Sequence, residues 1–214
     1  MWKKNKVLIM ITAVICLLPM LAGAILWDQL PEQIPSHWGI NGEVDAWSSK
    51  PFAVFFFPAL LCGIHMLCVF FSHFDPKKTE YPQQMVNLVL WFCPVLSLLL
   101  NGIVYSFALG YDLLNVPVII SMLVSIMFIV IGNFLPKCRQ SYTMGIKLPW
   151  TLADEGNWNA THRVGGWVWT FCGIAMLATA FLGIFWILIG ILLIAVLVPT
   201  VYSYIYYRKH QMDK

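Results

Sequence analysis

Side chains able to do chemistry are few in this chain, and they gather in three places. Between residues 28 and 50 lie His37, Glu43 and Asp45, whose nitrogen and carboxylate oxygens are donors that a divalent metal accepts. Their spacing matches no metal signature, and the plainer reading is solvated loop polars. Further on, Glu155, Trp158 and His162 fall at helical spacing and share one face, with Asp154 beside them. A carboxylate next to an imidazole is the raw material of a general base. His162 also reads as a cap or interface residue bonded to Trp150 or to backbone, and that reading is preferred. The third place is His65, an ionisable group deep in an apolar run and so a functional candidate by default. A neutral histidine satisfied by a neighbouring backbone carbonyl is the commoner outcome there. No Glu-Glu pair, His-Glu-x-x-His or Gly-x-Ser-x-Gly element is present. No cofactor is expected.

The elements that must hold these residues are set by composition. The chain is 60% hydrophobic and 11% charged, with mean hydropathy +0.76. A soluble domain carries about 25% charged residues. Crossing a bilayer as helix takes roughly 20 apolar residues, and six runs qualify: about Val7–Trp27, Phe52–Phe74, Val86–Leu109, Val116–Leu135, Val164–Leu182 and Phe185–Tyr206. The short alternating segments of a membrane β-barrel are absent. The expected class is all-α: a polytopic, multi-pass protein of the cell membrane, residues 1–214 forming a single integral membrane domain. Lys3, Lys4 and Lys6 before the first run resemble the start of a signal peptide, and Ala22-Gly23-Ala24 a cleavage site. The run continues to Trp27, long enough to span, so an uncleaved first helix is expected.

Basic residues collect on the cytoplasmic side of membranes. With six spans and the N-terminus inside, twelve of the thirteen Lys and Arg residues fall inside and only Lys50 outside. Both termini are then cytoplasmic, and the net charge of +3 is a topology signal rather than a sign of direct nucleic-acid binding. The inner loop carrying Asp75, Lys77 and Lys78 reads as a positively charged hinge.

The outer loop from Asp28 to Lys50 is acidic, with Asp28, Glu32, Glu43 and Asp45 against Lys50. It favours a cationic or amphipathic partner. Asn41-Gly42 predicts a hairpin turn with both central residues at positive φ. Ile34, His37-Trp38 and Val44, Trp47 form its arms, with Ser48 or Ser49 capping the second span. Trp38 and Trp47 suit the membrane interface. A short outer loop near Tyr111–Asn115, with Asp112, follows the third span, in which Asn101 reads as interhelical glue.

The longest break between apolar runs is Gly132–Arg163. Thr151 opens a Thr-x-x-Asp capping pattern, predicting a short helix from about Leu152 to Thr161. Gly165-Gly166 allow close backbone approach, Gly183 marks a tight turn between the last two spans, and Pro199 is expected to kink the last one. Tyr202, Tyr204, Tyr206 and Tyr207 make an inner aromatic belt. Five of the six cysteines lie in spans and Cys138 in an inner loop, without Cys-x-x-Cys spacing; they read as buried apolar residues.

Two stretches carry a resemblance. Leu-Pro-x-x-Ile-Pro-x-His-Trp through Gly-Glu-Val-Asp, at residues 30–45, resembles a domain of unknown function found at the start of small bacterial membrane proteins. Gly132-Asn133-Phe134-Leu135-Pro136-Lys137, Gly145-Ile146-Lys147-Leu148-Pro149-Trp150-Thr151-Leu152, Trp158 and Thr161-His162-Arg163-x-Gly165-Gly166 together resemble the SdpI family. Lys147 and Leu148 stand where that family usually has Arg and Thr. The resemblance implies immunity to a secreted membrane-active peptide toxin. It also implies sensing of that toxin and retention of a small winged-helix repressor at the membrane. By position, His37, Trp38, Glu43 and Asp45 would lie near the toxin. Asn133, Pro136, Gly145, Pro149, Trp150, Thr151, Trp158, Thr161 and His162 would form the signalling or protective element. Two other functions compete: a membrane-embedded, metal-dependent or other peptidase using Glu155 and His162, and a peptide exporter. The bilayer is the remaining partner.

Overall fold

The computed structural model describes residues 2–76, 82–111, 115–182 and 184–212. Lys77, Lys78, Asp112, Gly183 and Lys214 lie outside the described residues. The elements run α1 (Trp2–Ile25), β1 (Gln33–Trp38), β2 (Val44–Ser49), a π-helical turn Phe52–Phe56 leading into α2 (Phe57–His73), α3 (Gln83–Ala108), α4 (Val116–Phe134), α5 (Pro149–Ala153), α6 (Glu155–Thr179) and α7 (Phe185–Met212). Among the described residues, six helical stretches are long and apolar enough to cross a membrane: Lys4–Ile25, Phe52–His73, Gln83–Ala108, Val116–Lys137, Glu155–Leu182 and Trp186–His210. At most 33% of any span's apolar window is buried. The remaining side chains, such as Val7, Leu21, Phe71, Trp186 and Ile205, need lipid around them.

The chain forms two compact units, Met1–Phe74 with Val86–Pro117 and Asp75–Met85 with Val118–Lys214. In the first, α1 is drawn to its neighbours through its own backbone. Pro19 lies inside α1 and has no N–H to continue the ladder. The carbonyl of Pro19 accepts from the Tyr105 hydroxyl at 3.2 Å, and that of Cys16 from Ser97 Oγ at 2.9 Å. Gly23 lets Val54 close on the helix: a Cβ there would meet Val54 Cγ1 at 2.7 Å. Leu30, Ile34, Ala53, Val54 and Tyr105 make one core at this end, and Cys16, Leu61 and Cys93 another lower down.

Two expectations for this unit are corrected. Neither Ser48 nor Ser49 caps the second span. Ser48 Oγ donates to Ile34 O instead, and the span opens as a π turn after Pro51 in which Phe57 N–H donates to Phe52 O. Pro58, next in line, has no N–H for the usual four-residue step, which favours the wider turn. Asn101 is bonded within its own helix, Nδ2 donating to Ser97 O at 2.8 Å. That contact is intrahelical rather than interhelical.

In the second unit the helices approach through glycine. A Cβ on Gly132 would meet Thr170 N at 2.7 Å, and one on Gly173 would meet Ser125 O at 2.7 Å. Gly166 takes Pro136 Cγ and the Gly132 carbonyl against its bare Cα. The expected role for Gly165-Gly166 therefore holds, but inside a helix rather than at its start. The fifth span begins at Glu155, and the expected separate helix over Leu152–Thr161 is divided at Asp154: Leu152–Ala153 end α5 and Glu155–Thr161 open the span. Asp154 is its N-cap, accepting from Gly156 N at 2.9 Å and Asn157 N at 3.2 Å. Thr151 caps nothing ahead of it; its hydroxyl accepts from Leu148 N at the start of α5. An aspartate at the true N-cap offers two acceptor oxygens to free helix N–H groups, which Thr151 would have to reach across another turn.

Candidate functional site

The outer-loop candidates sit on a two-stranded antiparallel hairpin in the first unit. Pairing runs Gln33 with Ser49, Ile34 with Ser48 and Pro35 with Trp47, then His37 with Ala46 and Trp38 with Val44. The register slips past Ser36 on one strand and Asp45 on the other. The turn is not the expected pair of positive-φ residues: only Gly42 has positive φ, at +85°. Gly42 N–H donates to Gly39 O at 3.0 Å and Gly39 N–H to Glu43 O at 2.8 Å. A three-residue loop ending in a left-handed glycine needs no strain at Asn41.

His37 Nδ1 lies 2.5 Å from Asp45 Oδ1, on the exposed face. Glu43 turns the other way and accepts from Asn41 Nδ2 at 2.8 Å. His37, Glu43 and Asp45 thus do not converge as a ligand set, and among the described residues no three His, Cys, Asp or Glu side chains do. Trp38 stands edge-on to Phe107 at 5.5 Å, with Nε1 buried and without a hydrogen-bond partner. Trp47 is 55% exposed. At the hairpin base, Lys50 is 5% exposed, pairs with Glu32 at 2.9 Å, donates to Trp27 O at 3.1 Å and lies over the Trp27 ring.

His65 is fully buried. Its Nε2 meets the Thr12 hydroxyl at 3.1 Å, and Nδ1 has no partner. The expected backbone carbonyl is replaced by a side chain.

The second unit gathers most of the 132–166 motif around one stacked pair. Trp158 is fully buried, its ring stacked on His162 at 4.0 Å, and its Nε1 donates to Cys138 O at 2.8 Å. His162 Nδ1 lies 2.8 Å from Trp158 O, and Nε2 accepts from Ile146 N at 2.9 Å. The ring is therefore a neutral imidazole with the proton on Nδ1. Gly145, at φ +107°, passes directly over this stack. A Cβ there would meet Trp158 Cζ2 at 2.7 Å and His162 Nε2 closer still. Thr151 Oγ1 donates to Ile146 O at 2.9 Å, so one loop is pinned from both sides.

Trp150 lies on α7 instead. Its Nε1 donates to Ser203 Oγ at 2.5 Å, and its ring meets Tyr204 and Tyr207 of the expected aromatic belt. Thr161 Oγ1 donates to Asn157 Oδ1, while Asn157 Nδ2 donates to Ser203 O at 3.0 Å. Pro149 opens α5. Asn133 is exposed, and so is Glu155, one turn from the buried Trp158 and two turns from the buried His162. Glu155 does not reach the imidazole, and the expected shared face is split between solvent and core.

The residue that sequence reasoning missed is Asp75. It is 5% exposed, and its Oδ2 accepts from Ser141 Oγ, Tyr142 N, Thr143 N and Thr143 Oγ1 at 2.5–3.1 Å. The loop leading to Gly145 wraps the carboxylate as an anion-binding nest wraps its anion. A lone Asp before Pro76 was the only local signal. Burial, and then the Asp75 charge, push the nearby Cys138 thiol up to about 11. The site is a clasp made of hydrogen bonds, in which both ring nitrogens of His162 are engaged.

Residues 14–62 match the family described as a domain of unknown function (DUF1648), and residues 137–203 match the SdpI/YfhL protein family. The chain is 30% identical over 210 residues to the immunity protein SdpI of Bacillus subtilis (strain 168), covering 97% of each. No solved structure gives a significant match.

Proposed function

The chain belongs to the SdpI family, and from that premise we propose that it is a multi-pass immunity protein of the cell membrane, conferring resistance to a secreted, membrane-active peptide. The observation that supports this most is the end-to-end likeness to the Bacillus subtilis immunity protein, covering both the hairpin and the clasp. The charge distribution supports the hairpin facing outside and the clasp and both termini facing the cytoplasm. In this reading His37, Trp38, Glu43 and Asp45 lie near the peptide. The clasp around Gly145, Thr151, Trp158 and His162, with Asn133, Pro136, Pro149, Trp150 and Thr161, is the protective or signalling element.

In the same reading the protein also senses the peptide and holds a small winged-helix repressor when occupied. Occupancy can alter the inner surface only if the peptide binds two states unequally. The peptidase reading lacks support from the site, because both ring nitrogens of His162 are engaged and Glu155 points elsewhere. An exporter reading lacks support from the spans, whose central ionisable group is the lone His65.

The test is expression in a sensitive strain challenged with a panel of membrane-active peptides. At least one should show a several-fold higher inhibitory concentration. No protection against any member overturns the proposal. Reporter fusions at residues 155 and 214 should report the same side of the membrane.

A further inference from the structure

The hairpin is a two-stranded sheet with edges of unequal character. On β1, Ile34 and Pro35 are buried against the unit, and Pro35 has no N–H to offer. On β2, Asp45, Ala46, Trp47 and Ser49 are exposed. Lys50 N–H donates to Glu32 O, and Ile34 pairs with Ser48. With a period of two, the backbone groups of Trp47 and Ser49 then point away from β1. An exposed strand edge of this kind templates another strand unless something blunts it. The register slip at Asp45 limits the usable edge to about the last four residues of β2.

The charge around that edge has one sign. Asp28, Glu32, Glu43 and Asp45 are all exposed. Lys50, the only Lys or Arg between residues 28 and 50, is buried at 5% exposure and already bound to Glu32 and the Trp27 carbonyl. Trp47 and Ile40 add apolar surface, at 55% and 71% exposure.

We infer that the β2 edge at Trp47–Ser49 receives a cationic peptide in extended form, adding it as a third strand to the hairpin. Main-chain bonds to Trp47 and Ser49 supply the pairing. The surrounding carboxylates select positive side chains, and Trp47 takes an apolar one on the alternate face. This rests on the immunity reading for its biological meaning, though not for its chemistry.

The test uses the full-length protein in detergent and a labelled acetyl-(Lys-Val)3-amide peptide as probe, read by fluorescence anisotropy. Three comparisons decide it. A (Glu-Val)3 peptide should bind at least tenfold more weakly, and so should the (Lys-Val)3 peptide methylated on alternate backbone nitrogens. Ser49→Pro, which removes an outward N–H, should weaken the cationic probe to the same degree, while Ser49→Thr should not. Equal binding of the methylated and unmethylated probes overturns the inference, and because wild-type protein is used, that result does not depend on Ser49→Pro folding. No binding of the cationic probe overturns it equally. Wild-type protection of cells with methylation-insensitive binding sinks the edge and leaves immunity standing. Methylation-sensitive binding without protection against any peptide does the reverse.

Discussion

His162 Nε2 accepts the Ile146 N–H at 2.9 Å across sixteen residues of chain, while the other ring nitrogen is bonded to Trp158 O. The imidazole is a bracket between a loop and a helix. His162→Ala therefore leaves the part-buried Ile146 N–H unpaired and a void beside Trp158, which together remove about 2–4 kcal/mol. The melting temperature in detergent should fall. Protection should fall only in proportion to the folded protein remaining in the membrane. Loss of protection with unchanged melting would mean that the ring has a direct part in protection beyond holding the fold.

Gly145 and Gly110 offer a paired comparison. Both have positive φ, +107° and +83°, but among the described residues only Gly145 of the two has neighbours that a methyl group would strike. Gly110→Ala should show the backbone strain alone, about 1 kcal/mol. Gly145→Ala must also displace the Trp158 and His162 rings and should be at least about 2 kcal/mol worse. Equal shifts in melting would show that the loop does not rest on the stack.

The Asp75 carboxylate accepts four hydrogen bonds from Ser141, Tyr142 and Thr143. Asp75→Ala strands buried donors and should destabilise by roughly 3 kcal/mol or more. Asp75→Asn keeps one acceptor oxygen and should lie between the two. Limited proteolysis at residues 139–148 provides a local readout, with cleavage fastest in the alanine variant.

The cap assignment is separable by mutation. Asp154→Ala should lower stability by about 1 kcal/mol, the usual loss for an N-cap. Thr151→Ser keeps the hydroxyl that accepts from Leu148 N and donates to Ile146 O and should be close to neutral. Thermal melts of the two variants give the comparison.

Cys138 should resist alkylation. With its thiol at about 11 rather than 9.0, thiolate at pH 8 is about a hundredfold scarcer than in the unfolded chain. Mass spectrometry of iodoacetamide-treated protein should find Cys138 unmodified until the fold is lost. The raised value favours the neutral thiol in the fold, so this contribution is complete below about pH 9 and lost as pH rises towards 11.

The sequence alone determined the six spans and the hairpin, because both rest on local properties. Apolar length fixes a membrane helix whatever it packs against, and Gly42 fixes a turn through its own φ. Membership of the family was legible too, since the spaced residues of 132–166 survive as a linear pattern. Their roles were not. Trp158 and His162 at helical spacing suggested a reactive face shared with Glu155, yet only the fold decided that the first two point into the core and the third into solvent. Asp75 lies 66 residues from Ser141, and Asn157 lies 46 from Ser203. Hydrogen-bond partners that distant are chosen by how helices and loops pack, and a buried carboxylate without partners would cost too much to exist. Burial and pairing are properties of the whole tertiary structure, so it alone could turn a set of reactive-looking side chains into a clasp.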